Sequence, residues 1–146
     1  MISSFNELHQ MVKDSQPKRV ALVAAEDPVL IEAAKRAQEE GLARFILFGN
    51  SRKIESLNPP DASSFEIVDS QNPAIDAINY IHADKADLLM KGKIQTGDLL
   101  RAILNRDTGL RQGELLNHIA VIESPHYHKL LFISDGGINL HLDENV

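Results

Sequence analysis

The chain has 146 residues, a length that suits one domain, and 43% of them are hydrophobic, which is enough to form a core. Its 15 basic and 21 acidic residues give a net charge of −6, so no basic surface is expected for nucleic acid or an anionic membrane. The absence of cysteine excludes disulfides, thiolate zinc sites, Cys nucleophiles and Cys-ligated iron–sulfur clusters, and it fits a reducing cytoplasm.

Short apolar runs then alternate with helical periods, which is typical of an α/β fold. Asp27 and Pro28 have the residue types preferred at the start of a helix, and Gly41 has the type preferred just beyond its end. The pattern predicts, in chain order, a helix over 4–15, a strand over 19–24, a helix over 28–40, a strand over 45–49, a short helix over 51–57 and a third strand over 65–68.

The second part of the chain continues this alternation and ends differently. A helix that starts at Asn72-Pro73 with an apolar stripe of Ile75, Ile78 and Ile81 precedes a strand over 87–90 and a helix capped by Thr96. The final predicted strands, over 118–123 and 130–134, are joined by a short connection and should form an antiparallel pair. We predict one domain over residues 1–146, with a three-layer α/β fold. Helices flank its mostly parallel sheet, and the antiparallel pair lies near the C-terminus.

The strongest candidate site is the segment 90–98, which is predicted as the end of a strand, a loop containing Gly92 and the start of a helix. Ligands of open α/β sheets bind beyond the carboxyl ends of the strands, and the first N–H groups of a helix attract anions. Lys91, Lys93 and the Thr96 hydroxyl could join them. On the residues alone, an ordinary loop with Thr96 as a structural cap is an equal alternative, and the P-loop pattern is not met.

Two further segments carry candidate residues. Arg111 lies between two glycines, and arginine can grip a phosphate with two hydrogen bonds, although a solvated turn residue is the simpler interpretation. Asp135 and Asn139 follow the last predicted strand, where turn chemistry would also explain them. His126 and His128 lie in a predicted turn, and because two ligands do not make a metal centre, no metal site is predicted.

Three parts of the sequence, taken together, are similar to the phosphate acetyl/butyryltransferase family, and to its butyryl branch in particular. The most specific match combines Leu89-Met90-Lys91-Gly92-Lys93-Ile94-Gln95-Thr96-Gly97-Asp98-Leu99-Leu100 with Gly109-Leu110-Arg111-Gln112-Gly113. The other two parts are 20–27 with 45–49, and 117–121 with 129–135 and 138–139. The resemblance runs over nearly the whole chain and covers about the first half of a family protein.

The resemblance implies a fold like domain 1 of the phosphotransacylase and isocitrate dehydrogenase-like proteins, in a cytoplasmic homo-oligomer. It also implies transfer of an acyl group between acyl-CoA and phosphate, with coenzyme A as a substrate, no bound cofactor and no metal. By motif position, the residues that would face phosphate or acyl phosphate are Lys91, Gly92, Thr96 and Arg111. Asp135 and Asn139 would lie at the domain junction.

The family's catalytic Ser-Arg pair and the aspartate after it belong to its C-terminal half, so no catalytic residue is assigned here and this chain alone is expected to be incomplete for catalysis. A non-catalytic phosphate- or CoA-binding module is the alternative function. An unrelated nucleotide-binding α/β domain is a third, weaker interpretation, because no Gly-x-Gly-x-x-Gly loop follows the first strand. The expected partners are acyl-CoA, phosphate and further copies of the chain, with neither nucleic acid nor a membrane.

Overall fold

The computed structural model describes residues 2–57, 65–113 and 116–134. Within these ranges the helices are α1 (Phe5–Lys13), α2 (Pro28–Glu39), α3 (Ser51–Leu57), α4 (Pro73–His82) and α5 (Thr96–Ile103). The strands are β1 (Lys18–Val23), β2 (Ala43–Gly49), β3 (Glu66–Asp69), β4 (Leu88–Lys91), β5 (Ile119–Ile122) and β6 (Leu131–Ser134). None of the helices in this described part of the chain has the length and hydropathy needed to cross a membrane.

The first four strands form a parallel sheet in the order β3-β2-β1-β4, with β3 at one edge. Alternate residues of the central strands point to opposite faces. Leu22 and Leu47 pack with α2 and α3 on one face, whereas Val23 and Phe48 pack with α4 and α5 on the other. Helices therefore cover both faces, and the predicted three-layer fold is confirmed.

Local interactions explain where α2 begins and where it ends. The Asp27 carboxylate accepts hydrogen bonds from the N–H groups of Val29 at 2.9 Å and Leu30 at 3.3 Å, and Pro28 occupies the first turn. Gly41 follows the helix with a φ of +75°, a conformation that is strained for residues with a Cβ. The predicted start and stop of this helix are both confirmed.

The last two strands form a separate antiparallel sheet, as predicted. Ile119 pairs with Ser134 and Ile122 with Leu131. This ribbon leaves large apolar side chains in solvent, since Ile119 is 64% and Phe132 is 70% exposed.

Candidate functional site

The loop after β4 rests on the end of β1 through main-chain hydrogen bonds. The N–H of Gly92 donates to the carbonyl oxygen of Val23, and that of Lys93 to the carbonyl oxygen of Ala24, both at 2.8 Å. A Cβ atom at Gly92 would lie 2.3 Å from the Val23 oxygen and 2.5 Å from the Ala24 oxygen. Only glycine therefore lets this loop approach the sheet so closely, and that approach fixes where α5 begins.

The start of α5 differs from its prediction by one residue. Gln95 is the N-cap residue, its side chain makes no capping hydrogen bond, and Thr96 is the first residue of the helix. The prediction of Thr96 as the cap is wrong because Thr96 is already helical, which places its hydroxyl one position too late to serve the first turn. Within the described residues, the N–H groups of Thr96 and Gly97 have no acceptor, whereas those of Asp98 and Leu99 donate to the carbonyl oxygen of Gln95.

Two other helices that begin at this end of the sheet, α2 and α3, have N–H groups at their starts satisfied by the chain's own carboxylates. The start of α4, at the same end, has no side-chain capping hydrogen bond. Asp27 caps α2. At the start of α3, Glu26 Oε1 accepts from the N–H of Asn50 at 2.8 Å, and Asp69 Oδ1 accepts from the N–H of Ser51 at 2.9 Å. The latter bond lowers the pKa of Asp69 below its usual value. The first turns of α2 and α3 are thus already neutralised.

Lysines, rather than carboxylates, precede the first turn of α5. Lys91 and Lys93 are exposed, and neither forms an ion pair with a carboxylate of the described residues. Asp98 lies in that first turn, but Arg101 holds its carboxylate at 2.8 Å. Two cations beside N–H groups without acceptors can bind a small anion.

Arg111 lies on a second loop, which leaves from the other end of α5. The N–H of Leu110 donates to the carbonyl oxygen of Ile103 at 2.8 Å, and a Cβ atom at Gly109 would lie 2.2 Å from that oxygen. His82 Nε2 lies 3.1 Å from the carbonyl oxygen of Gly109 and 3.3 Å from that of Thr108. Because both of these oxygens are acceptors, Nε2 must carry the proton. The beginning of this loop is therefore tied to both α4 and α5.

The structure describes four of the six predicted site residues, Lys91, Gly92, Thr96 and Arg111. Lys91 ends β4, Gly92 lies in the loop that follows, and Thr96 begins α5. The Arg111 Nε donates to the carbonyl oxygen of Gly113 at 2.6 Å. Asp135 and Asn139 lie outside the described residues.

A cavity of about 400 Å³ between α4 and α5 was not predicted. Asp98 and Arg101 contribute its charged lining, and its apolar lining consists of Pro73, Ala74, Ile75, Ile78, Ile94 and Ala102. The only sequence signal for it was the stripe of isoleucines on α4. Within that stripe Ile78 is buried, whereas Ile75 is 51% exposed and forms part of the cavity wall.

Several known proteins are similar to this chain in sequence or in fold. A family model described as phosphate acetyl/butaryl transferase matches residues 3–74. The chain is 37% identical to the phosphate butyryltransferase of Clostridium acetobutylicum, over 97% of this chain and 49% of that protein. It is 34% identical to the phosphate acetyltransferase of Thermotoga maritima, over 83% of this chain and 43% of that protein. A crystal structure of a branched-chain phosphotransacylase from Enterococcus faecalis has a similar fold, with a TM-score of 0.65 at 24% identity, over 84% of this chain and 43% of that one.

These matches confirm the predicted resemblance to the phosphate acetyl/butyryltransferase family. The chain spans about half the length of the curated relatives it matches. Residues 91–111 lie beyond the range of the family model, but they lie within the alignment to the C. acetobutylicum protein, which covers nearly the whole chain.

Proposed function

We propose that this chain is part of an acyltransferase that moves an acyl group between acyl-CoA and phosphate, and that phosphate or acyl phosphate binds where α5 begins. One observation carries the proposal. In a chain similar to phosphate butyryltransferases, this helix start has two N–H groups without acceptors among the described residues, and beside it lie two lysines that pair with no described carboxylate. An anionic substrate would satisfy both features.

Each residue of this loop has a distinct role in the proposal. The N–H groups of Thr96 and Gly97 and the Thr96 hydroxyl donate to phosphate oxygens, while Lys91 and Lys93 balance the charge. Gly92 keeps these donors in place by letting the loop rest on β1. The contribution to the rate is one of positioning, because an oriented phosphate reacts as though its local concentration were very high.

The reaction itself is a displacement at the thioester carbonyl. A phosphate oxygen forms the new bond to the acyl carbon, the carbon–sulfur bond breaks, and the departing CoA thiolate takes a proton. Lys91 and Thr96 can bind and orient the phosphate, but neither is a base matched to a thiol near neutral pH. We therefore assign no catalytic residue to the described part of the chain.

The remaining parts of the proposal follow from the resemblance. Arg111 would contribute a second contact to the phosphate side, and Asp135 and Asn139 would lie where a second domain meets this one. Residues 1–146 would form one α/β domain of a cytoplasmic homo-oligomer, with acyl-CoA and phosphate as its small-molecule partners and no resident cofactor.

The test is release of free thiol from butyryl-CoA in the presence of phosphate, by protein expressed from its complete reading frame. We expect turnover of about 1 s⁻¹ or faster. Lys91→Ala should raise the KM for phosphate by about 10- to 100-fold, because a hydrogen bond to a charged group contributes about 1.5–3 kcal/mol. Lys53→Ala, which changes an exposed lysine on α3, is the matched control. Phosphate binding without any turnover would contradict the proposal of an acyltransferase and would favour a non-catalytic phosphate- or CoA-binding module.

A further inference from the structure

We propose that the cavity between α4 and α5 holds the acyl chain of the substrate. This inference rests on the proposed function, because it assigns a place to the apolar part of a molecule whose charged part binds at the start of α5. It goes further in naming the residues that would set the preferred chain length.

The lining of the cavity suits a hydrocarbon chain. Ile78 and Ala74 are 2% and 7% exposed and provide a buried apolar floor, while the half-exposed Ile75 provides an outer wall. A volume of about 400 Å³ is within the range of small-molecule sites. Most of this surface is apolar carbon, so a ligand gains free energy here chiefly by removing its own apolar surface from water.

The charged side chains of the lining give the cavity no net positive charge to attract a phosphate group. Asp98 and Arg101 are the charged side chains among its described lining residues, and their carboxylate oxygen and guanidinium nitrogen lie 2.8 Å apart. The pair has no net charge, and its carboxylate would repel an anion that came close. The uncompensated positive charge lies outside, on Lys91 and Lys93. A ligand with an anionic end and an uncharged end would therefore bind in only one orientation.

The cavity and the anion site are neighbours along the chain. Ile94 lines the cavity and directly follows Lys93, and Asp98 lines it two residues after Thr96. Consecutive Cα atoms are only 3.8 Å apart, so the cavity lining comes within two residues of Thr96 on either side, and in this proposal the acyl chain extends from a phosphate at Thr96 into the cavity.

The test compares inorganic phosphate, methyl phosphate and butyl phosphate as ligands, using amide spectra of the nitrogen-15-labelled protein. A fully buried methylene strengthens binding by about fourfold. Because this cavity is partly open, we expect butyl phosphate to bind about tenfold more tightly than methyl phosphate and to shift additional amides around Ile75 and Ala102. Ile75→Ser should reduce that ratio severalfold and leave the affinity for inorganic phosphate unchanged. Val29→Ser, at an apolar residue on α2 that is 74% exposed, should leave the ratio intact.

A second variant acts in the opposite way, by filling the space. Ala102→Leu should abolish the advantage of butyl phosphate while methyl phosphate still binds. Equal affinities for methyl and butyl phosphate would overturn the inference and leave the anion site standing. An advantage for butyl phosphate that neither variant changes would also overturn it, because the chain would then bind elsewhere. If inorganic phosphate fails to bind at all, the anion site fails, and this inference fails with it.

Discussion

Arg19, at the amino end of the parallel sheet, and Lys91 and Lys93, at its carboxyl end, differ in whether carboxylates of the described residues bind them. At the amino end, the Arg19 guanidinium donates to both carboxylate oxygens of Asp87, at 2.9 and 3.1 Å, and to the carbonyl oxygen of Asp84 at 2.6 Å. At the carboxyl end, Lys91 and Lys93 have no such acceptor among the described carboxylates. A cation already bound by its own chain holds β1 to the start of β4, whereas an unpaired cation can bind a ligand.

The electrostatics of the amino end support a structural role. Hydrogen bonds from Arg19 hold the pKa of Asp87 well below its usual range, and those same bonds raise the pKa of Arg19 above its own. The Arg19 N–H also donates to Asp87, at 2.7 Å, and the N–H of Asp87 donates back to the carbonyl oxygen of Arg19 at 2.8 Å. Each of the three guanidinium nitrogens of Arg19 therefore donates a hydrogen bond within the fold.

The largest expected effect comes from disrupting the carboxyl end at Gly92. A Cβ in Gly92→Ala would meet two main-chain oxygens at 2.3 and 2.5 Å, so the loop must move away from β1. We expect a loss of about 1–3 kcal/mol in the free energy of unfolding, as for other overpacked sites, together with loss of phosphate binding. Urea denaturation and phosphate titration would measure the two effects.

The matched control is Gly97→Ala, which adds the same methyl group five residues later. Nothing lies within 4 Å of a Cβ at Gly97, and alanine is the better helix former by about 0.5–1 kcal/mol. We expect this variant to be at least as stable as the original and to bind phosphate. Equal stability of the two glycine variants would contradict the close approach described for Gly92.

The second prediction concerns the Arg19–Asp87 interaction at the amino end and how it makes stability depend on pH. Because the pKa of Asp87 is lower in the folded than in the unfolded chain, its contribution to stability is fully present above its unfolded pKa of about 4 and is lost as pH falls through the folded value. Asp87→Asn should therefore lower the urea midpoint at pH 6. The difference between the midpoints at pH 6 and pH 3 should be smaller in this variant than in the original protein. Asp107→Asn, at an exposed residue with no ion pair in the described structure, should keep the original dependence. An unchanged midpoint in Asp87→Asn at pH 6 would refute the structural role.

The smallest expected effect concerns the connection between α4 and the Arg111 loop. His82→Leu removes the donor to the carbonyl oxygens of Thr108 and Gly109, which should cost about 0.5–1.5 kcal/mol and speed amide exchange at Leu110. His82→Gln keeps a donor and should restore part of the protection. His126→Leu, in the exposed turn before β6, serves as the control. If exchange at Leu110 is the same in both His82 variants as in the original protein, His82 does not hold this loop.

Most of the fold could be predicted because its central strands are continuous apolar runs with clear breaks. Residues 21–23, for example, are fully buried, and the helix start at Asp27-Pro28 uses the residue types that favour it. The apolar stripe predicted on α4 is only partly buried, since Ile78 is buried and Ile75 is exposed. Ala74 and Ala77 pack against the sheet and let the helix come close, so Ile75 is turned toward solvent. Large side chains dominate a periodicity argument even where small ones make the contact.

For the candidate site too, local features could be predicted from the sequence and long-range features could not. Lys91, Gly92 and Thr96 could be grouped because a strand, a loop and a helix follow one another within a few residues. The need for glycine at position 92 depends on the main chain of Val23 and Ala24, far away in the sequence. The cavity depends on two helices meeting, and no single segment of the sequence reports that.

The claim that the carboxyl end is the ligand-binding end has one most direct test: titration of the nitrogen-15-labelled protein with inorganic phosphate, monitored at every assigned amide. The account predicts saturable shifts concentrated at Gly92, Thr96, Gly97 and Asp98, and a weaker response in Lys91→Ala. Shifts concentrated at the amino end, around Arg44 and Lys85, or no saturable shifts at residues 92–98, would contradict it.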